Sequence, residues 1–258
     1  KKIKALQEGI LPIYEIGLID LVRRNTRAGR LEFSTDFTEA LDRSLVVFIA
    51  VGTASAHDGS ADLSAVYTVA ADIGKSISEY KVIVTKSTVP VGSGNWLEAT
   101  IEAELPIGAD RDVLCVVSNP EFLREGAAVE DFLHPERVVV GGDCEDAVEK
   151  VAHVYDRILA QDFEGGDPDS LPVLVKTGRA TAETIKYAAN AFLATKISFI
   201  NEIANICEWL DADVTEVAYA IGLDSRVGAK FLDAGVGWGG SCFGKDTSAL
   251  ASMAREQG

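Results

Sequence analysis

The sequence is short of positive charge and of long apolar runs, and each shortage narrows the possible functions. Lys and Arg total 24 against 40 Asp and Glu, so the net charge is −16. This acidic balance argues against nucleic acid or an anionic membrane as the main partner, because both are polyanions. The longest apolar run, residues 45–52, has the length of a strand and is too short to span a membrane. No signal peptide is predicted, because Lys1, Lys2 and Lys4 lead into no apolar segment.

Cysteine and histidine are too sparse and too scattered for a metal site or a disulfide framework. The four cysteines include no CxxC pair and no cluster with histidine, so we predict no metal and a reduced, cytoplasmic chain. Cys115 and Cys207 fall in apolar patterns typical of a core, and Cys144 has acidic neighbours that do not favour a thiolate. No histidine has the neighbours of a catalytic triad. We predict structural or surface roles for His57, His134 and His153.

What the sequence does contain is the alternation of an α/β protein. With 258 residues, 47% of them hydrophobic, the chain can form one large domain or two small ones. Runs of β-branched residues at 45–51, 81–87 and 113–117 are typical of strands that are buried on both faces. Helical patterns separate these runs, which predicts right-handed βαβ units and an open parallel sheet. Shorter strands are predicted at 31–33, 137–140 and 173–175.

The pattern changes after Gly178. Residues 181–210 form one long helical segment without Gly or Pro, and a second helix is predicted at 213–221. Glycine then recurs as far as Gly244. We therefore expect a Rossmann-like α/β domain over residues 1–178 and a helical segment over residues 179–258.

The stretch from Gly235 to Asp246 contains the strongest candidate nucleophile, Cys242. Glycines before a cysteine permit unusual backbone dihedrals and close approach of a substrate. Helical composition resumes after Cys242, and both a helix N-terminus and the nearby Lys245 favour a thiolate. A thiolate is the nucleophile of covalent catalysis. The alternative is a glycine-rich turn with an ordinary buried cysteine.

Lys186 and Asn190 are four residues apart on the predicted long helix, so they share one face. An amine and an amide that face a common pocket can stabilise an oxyanion. The alternative is a solvated helix face. Lys196 and Asn201, further along, are predicted as solvated or capping groups.

Polar residues follow several strands of the predicted sheet at its carboxyl edge, where α/β sheets bind ligands. Glu121 and Glu125 follow the strand at 113–117 and are candidates for a base and an orienting carboxylate. Thr53 and Thr88 end two other strands. The alternative for the segment after residue 118 is a surface turn that leads into a short helix.

Five segments, in order, resemble the UDP-glucose/GDP-mannose dehydrogenase family, and the resemblance extends from Gly9 to Asp246. The matching segments are Val51-Gly-Thr53, Ser87-Thr-Val-Pro-Val-Gly92, Asn119-Pro-Glu-Phe-Leu-Arg-Glu-Gly126, Lys186-Tyr-Ala-Ala-Asn190 and Gly239-Gly-Ser-Cys-Phe-Gly-Lys-Asp246. Together they are far more specific than any one of them alone.

The resemblance implies oxidation of the C6 alcohol of a nucleotide sugar to a carboxylate in two NAD-dependent hydride transfers. It implies that Cys242 attacks the C6 aldehyde to form a thiohemiacetal, and that water hydrolyses the thioester that follows. Lys186 and Asn190 would hold the C6 oxygen and its oxyanion. The residues implied to position or activate water are Thr88, Glu121 and Asp246.

The same resemblance implies the binding residues and a homodimer with the long helix as its core. Those implied to lie near the cofactor are Thr53, Thr88, Glu125 and Lys245. Those implied to contact the nucleotide sugar are Glu121, Phe122, Leu123, Arg124, Lys186, Asn190, Phe231, Leu232, Gly237 and Arg226, the last reaching a neighbouring subunit's substrate.

The segment Asp131-Phe-Leu-His-Pro-Glu-Arg-Val138 resembles the branch of the family that uses UDP-glucose and forms UDP-glucuronate. Ser241 stands where the N-acetylmannosamine branch has histidine. GDP-mannose or another nucleotide sugar remains the alternative substrate. The sequence also leaves open a single-hydride hydroxy-acid dehydrogenase and a non-catalytic dimerisation module.

The chain also departs from the family pattern. Ile16, Ala54 and Gly244 stand where the family has proline. The opening strand with its glycine-rich fingerprint and the C-terminal nucleotide-binding domain are missing. We therefore expect a fragment of a longer chain, with an unpaired apolar edge on its sheet.

Overall fold

The computed structural model describes residues 1–56, 59–108 and 113–256, and the chain divides into two compact units. Unit 1 comprises Lys1–Gly52 and Leu63–Glu183, and unit 2 comprises Thr53–Asp62 and Thr184–Gly258. The predicted role of His57 falls on a position outside the described residues.

Unit 1 is an α/β sandwich. Its strands are β1 (Val46–Ile49), β4 (Lys81–Thr85), β5 (Leu114–Ser118), β6 (Arg137–Gly142) and β7 (Val173–Thr177). Its helices are α1 (Lys2–Gln7), α2 (Leu18–Arg27), α3 (Phe37–Asp42), α4 (Ser64–Ser76), α5 (Ser93–Ala103), α6 (Ala128–Leu133), α7 (Glu145–Val154) and α8 (Asp156–Leu159). The strand order is β1-β4-β5-β6-β7. Strand β1 therefore lies at an edge of the sheet, with its Phe48 exposed.

The predicted sheet is mostly correct, with one error in direction. The pairs β1–β4, β4–β5 and β6–β7 are parallel, but β5 and β6 pair antiparallel through Val117–Gly142 and Ser118–Gly141. A parallel return needs a crossover element that packs across the sheet. Helix α6, in the connection between these strands, has six residues and buries none of them, so the chain turns back instead.

The strand predicted at residues 31–33 is also wrong. The segment is irregular, and the backbone oxygen of Phe33 accepts a hydrogen bond of 2.8 Å from the Gln7 side chain. A segment becomes a β-strand only when a neighbouring strand supplies ladder hydrogen bonds. Within the described residues, no strand pairs with this segment.

Two apolar cores lie on the two sides of the sheet, as strands buried on both faces require. Residues of β4 alternate between them, with Ile83 in one core and Val82 and Val84 in the other. Helices α4 and α5 cover the first core, and α7 covers the second.

Unit 2 contains most of α9 (Arg179–Leu210), together with α10 (Val214–Gly222), α11 (Gly240–Glu256) and a two-stranded ribbon of β2 (Ala54–Ser55) and β3 (Ala61–Asp62). Asp213 begins α10 by accepting the Thr215 N–H at 2.7 Å. Among the described residues, no helix combines the length and the apolar character that a membrane crossing demands.

Helix α9 starts in unit 1, where buried charges hold its first turns. Arg179 donates to Glu98 at 2.8 Å and to Asp143 at 2.6 Å. The carboxylate of Glu183 accepts the N–H groups of Gly92 and Gly94 at 2.6 and 2.8 Å. Those N–H groups open α5, whose own first residues provide no side-chain cap, so Glu183 satisfies them from another helix.

Candidate active site

A buried carboxylate, Asp246 of α11, joins the candidate residues of unit 2. One of its oxygens accepts the Asn190 amide at 2.6 Å, and the other accepts the Lys245 ammonium at 2.7 Å. Lys245 also reaches the Thr53 hydroxyl at 3.4 Å. Asp246 is fully buried, and a buried charge of this kind is stable only when paired and hydrogen-bonded. The structure thus brings together four predicted residues from three separate stretches of the chain.

Lys186 and Asn190 are both buried on α9, which contradicts the alternative of a solvated helix face. One helix turn separates them, so their side chains project from the same face of α9. Asn190 contacts Asp246, and donors that are buried, as these two are, act strongly on a developing negative charge.

Cys242 is exposed, and it is the third residue of α11. As predicted, it lies in the first turn of a helix, where the N–H groups have no intrahelical acceptor and favour an anion. Lys245 and Asp246 follow three and four residues later, on the same side of the helix as Cys242. An accessible thiol in this position suits nucleophilic attack.

The glycine-rich segment before Cys242 is attached to α9 at two points. The indole N–H of Trp238 donates to Ser198 at 3.1 Å, and the Gly235 N–H donates to Asn201 at 3.0 Å. Trp238 also meets the Phe243 ring edge-on, with centroids 6.4 Å apart. The segment is therefore held by specific contacts.

Phe231 has a left-handed backbone, with φ of 67°. This conformation is unfavourable for a bulky residue and is found mostly where the surrounding structure imposes it. The next residue, Leu232, is buried and anchors the turn. Lys196 donates to the Val227 and Gly228 carbonyls at 3.1 Å, so it fixes the start of this loop and is not simply solvated.

In unit 1, the carboxyl ends of β1, β4 and β5 are tied together by side chains. Ser87 donates to the Val51 carbonyl at 2.6 Å. Asn119, directly after β5, accepts from Lys86 at 3.1 Å and from Tyr155 at 2.5 Å. Burial raises the pKa of Tyr155 to about 12, although the hydrogen bond to Asn119 opposes the rise. Tyr155 therefore remains a protonated donor at neutral pH.

The segment after Asn119 is a turn stabilised by its own carboxylates. Glu121 accepts the Leu123 N–H at 2.6 Å. Asp131 accepts both the backbone N–H and the guanidinium of Arg124, and this hydrogen bonding lowers the pKa of Asp131. The Arg137 guanidinium lies 4.1 Å from the centroid of the Phe122 ring. Arg124 is thus engaged within the turn by Asp131.

The remaining predicted residues have varied settings. Thr88 is half-buried, and Glu125 and Gly237 are exposed. Arg226 is 87% exposed and pairs with Asp224, whose hydrogen bond raises the pKa of Arg226. These four residues therefore lie at or near the surface of their units.

The sequence prediction missed several residues that position the site. These are Glu183, Arg179, Tyr155, Ser198 and Trp238. Two of the contacts on α9 could have been inferred from the sequence, because Asn190, Ser198 and Asn201 recur at helical spacing along one face. The contacts of Glu183 and Arg179 join residues far apart in sequence, and no local pattern encodes them.

The described residues bear on two kinds of bound group, a metal ion and a dinucleotide. Within the described part of the chain, no cluster of three His, Cys, Asp or Glu side chains could hold a metal ion. A dinucleotide does fit the edge of unit 1, because parallel β1 and β4 end side by side and open space adjoins the backbone of Gly52.

The mostly parallel sheet, with its long helix and its polar edge, defines a protein of the Rossmann-like dehydrogenase class. Residues 1–159 match the NAD-binding domain of the UDP-glucose/GDP-mannose dehydrogenase family, and residues 180–258 match its central domain. The chain belongs to this family, which confirms the resemblance found in its motifs. The match also confirms the expectation of NAD as the cofactor.

Individual members of the family are similar to this chain over nearly its whole length. A UDP-glucose 6-dehydrogenase of Rhizobium meliloti is 52% identical over 99% of this chain and 56% of its own length. Another of Bacillus subtilis is 48% identical over 100% of this chain and 52% of its own length. The solved structure of a UDP-glucose dehydrogenase from Pyrobaculum islandicum has a TM-score of 0.89 at 38% identity, over 99% of this chain and 56% of that one. The chain spans about half the length of the curated relatives it matches.

Proposed function

We propose that the protein containing this chain is a UDP-glucose 6-dehydrogenase, which oxidises UDP-glucose to UDP-glucuronate with NAD. The observation that carries the proposal is the exposed Cys242 one helical turn from the buried group of Asn190, Lys245 and Asp246. The identity to UDP-glucose 6-dehydrogenases over the whole chain supports this substrate over GDP-mannose.

Cys242 is the nucleophile of the second half-reaction. Oxidation of the C6 alcohol removes a hydride from carbon and a proton from oxygen and leaves an aldehyde. The Cys242 thiolate adds to the aldehyde carbon, so a C–S bond forms and the carbonyl oxygen becomes the thiohemiacetal oxygen. Loss of a second hydride from C6 gives a thioester. Water then attacks this carbon, the C–S bond breaks, and the carboxylate, the thiolate and the two protons of the water are released. NAD, when bound, supplies the acceptor for each hydride.

Lys186 and Asn190 stabilise the negative charge that develops on the C6 oxygen in these steps. Both are buried donors on one face of α9, and Asp246 fixes the orientation of the Asn190 amide. Asp246, Thr88 and Glu121 position or activate the hydrolytic water. Thr53, Thr88, Glu125 and Lys245 hold the cofactor.

The nucleotide sugar binds to two backbone-rich segments. One is the turn that contains Glu121, Phe122, Leu123 and Arg124, and the other contains Phe231, Leu232 and Gly237. The functional boundary lies near residue 178, with the cofactor domain before it and the cysteine loop and dimer interface after it.

The functional protein is a cytoplasmic homodimer with α9 at its centre. Large apolar side chains on α9 and α10 are exposed in the single chain, which supports an interface there. They are Phe192, Phe199, Ile206, Trp209 and Tyr219. Arg226, mostly exposed on this unit, contacts the substrate of the partner subunit.

The stoichiometry of turnover tests the proposal. The intact gene product should form two NADH for each UDP-glucose consumed and release UDP-glucuronate, with GDP-mannose turned over far more slowly. One NADH per sugar would favour a single-hydride dehydrogenase. No turnover of any nucleotide sugar, with binding retained, would favour a non-catalytic module.

A further inference from the structure

The turn proposed to bind the nucleotide sugar is held at its far end by a residue outside the five matching segments. This turn, residues 119–127, leads into α6, whose first residues provide no side-chain cap of their own. Backbone N–H groups at such a helix start need acceptors. Glu15, from the segment between α1 and α2, provides two of them.

Glu15 acts as a clamp, because its two carboxylate oxygens each accept one backbone hydrogen bond from the turn. One carboxylate oxygen accepts the Gly126 N–H at 3.0 Å, and the other accepts the Ala128 N–H at 3.1 Å. The donors are 111 and 113 residues away in sequence. Gly126 has φ of 84°, a left-handed conformation that suits glycine and directs its N–H toward Glu15. Two bonds to one rigid carboxylate fix both the position and the direction of the chain at this point.

Apolar burial does not explain the position of Glu15. Its neighbours Ile13, Tyr14 and Ile16 are between 63% and 86% exposed. Glu15 itself is half-buried. Charge-assisted hydrogen bonds from backbone to carboxylate are therefore the described contacts that attach this segment to the turn.

The clamp completes a set of contacts along the turn. Asn119 is fixed at the start by Lys86 and Tyr155, and Arg124 is fixed in the middle by Asp131. At its end, Ala127 bonds only to nearby residues, donating to the Arg124 carbonyl and accepting from the Asp131 N–H, whereas Glu15 ties the end of the turn to a segment distant in sequence. A turn that loses the two bonds to Glu15 would sample positions in which it binds the nucleotide sugar less tightly.

We infer that Glu15 is a positioning residue for nucleotide-sugar binding, acting through the backbone of residues 122–126. The inference rests on the proposed function, because it takes this turn as part of the sugar-nucleotide site. Glu15 does not touch substrate in this account. Its effect falls mainly on the nucleotide sugar, which contacts the backbone of the turn, and less on the cofactor, which meets the turn only at Glu125.

Steady-state kinetics of the intact gene product test the inference with Glu15→Gln. Glutamine keeps the size of the side chain but replaces one acceptor oxygen with an NH₂ group, which faces an N–H donor. KM for UDP-glucose should rise about tenfold, while kcat changes less than about twofold and KM for NAD rises less than about threefold, because only Glu125 of the turn is proposed to meet the cofactor. Hydrogen exchange of residues 122–128 should accelerate. Glu15→Asp, which keeps both acceptors, should show a smaller rise, and the exposed Glu8→Gln should match wild type.

Four outcomes decide whether Glu15 has this role. An unchanged KM for UDP-glucose in an active Glu15→Gln enzyme overturns the inference alone. Equal rises in KM for UDP-glucose and for NAD, or a Glu15→Asp variant that fails to fold, assign a general folding role and also overturn it. Absence of UDP-glucose turnover in the wild-type enzyme refutes the proposed function, and the inference falls with it.

Discussion

The carboxylate of Asp246 shows how a single buried charge can organise a site. It accepts hydrogen bonds from residues of α9 and α11 in the interior of unit 2. Asn190 is 56 residues from Asp246 in sequence. The spacing of Lys186 and Asn190 predicts a shared helix face, but only the fold reveals which carboxylate that face meets.

Asp246→Asn tests this organisation. The change leaves the largely buried Lys245 ammonium without its counter-charge and places a second amide against Asn190. Removing one partner of a buried pair costs about 3–5 kcal/mol. We therefore expect the free energy of unfolding to fall by about 3 kcal/mol in denaturant titrations. The exposed Asp233→Asn should leave it unchanged within about 0.5 kcal/mol.

Asp131 gives a pH dependence whose sign follows from its hydrogen bond to Arg124. That bond lowers the pKa of Asp131 below its ordinary value of 3.8. A carboxylate with a lowered pKa stabilises the folded protein above its unfolded-state pKa, and the contribution is lost as pH falls through the folded-state pKa. The difference in Tm between wild type and Asp131→Asn should therefore be constant from pH 7 to about 5 and should shrink below pH 3.8. The exposed Asp169→Asn is the control. If its Tm difference from wild type also shrank below pH 3.8, that result would contradict this assignment.

Elements are positioned in this protein by close backbone approach as well as by apolar cores. The first turn of α9 packs on β6 at Gly141, where an added Cβ would lie 2.4 Å from the Ala182 Cβ and 2.8 Å from the Gly178 carbonyl oxygen. Such contacts are too short for any real Cβ, and neither neighbour is the end of a flexible side chain. Glycine is therefore required at this crossing.

Gly141→Ala should separate α9 from β6 and lower the free energy of unfolding by about 1–3 kcal/mol or more. Gly178→Ala is the matched control, because open space surrounds its added Cβ. Denaturant unfolding of both variants measures the effect. Equal stability of the two variants would show that the crossing can relax without cost.

At the level of elements, periodicity predicts most of the structure. The buried runs at β1, β4 and β5 and the long helix α9 are found where their patterns place them. The errors concern the pairing of strands. Residues 31–33 have a strand-like composition but no described strand beside them, and β6 runs antiparallel to β5. Composition encodes local conformation, whereas strand pairing depends on the path of the connecting chain.

At the level of the whole molecule, the exposed apolar face of α9 supports the dimer proposed above. Phe192 and Phe199 are seven residues apart and so lie on one face of the helix. The double substitution Phe192→Glu and Phe199→Glu should convert the dimer to monomers in sedimentation velocity, because charges in an apolar interface are costly to desolvate. Ile107→Glu, at an exposed position in unit 1, should leave the dimer intact. A double variant that remained dimeric would place the interface elsewhere.

The central claim is that the intact enzyme carries its substrate covalently on Cys242. The most direct test is intact-mass spectrometry of the Lys186→Ala enzyme, quenched in acid during turnover with UDP-glucose and NAD. Loss of the buried Lys186 donor should slow thioester hydrolysis, so an adduct of the sugar nucleotide should accumulate and map to Cys242. It should be absent when Cys242→Ser is added. Turnover to UDP-glucuronate that persists in Cys242→Ser, with no adduct in either enzyme, would contradict the account.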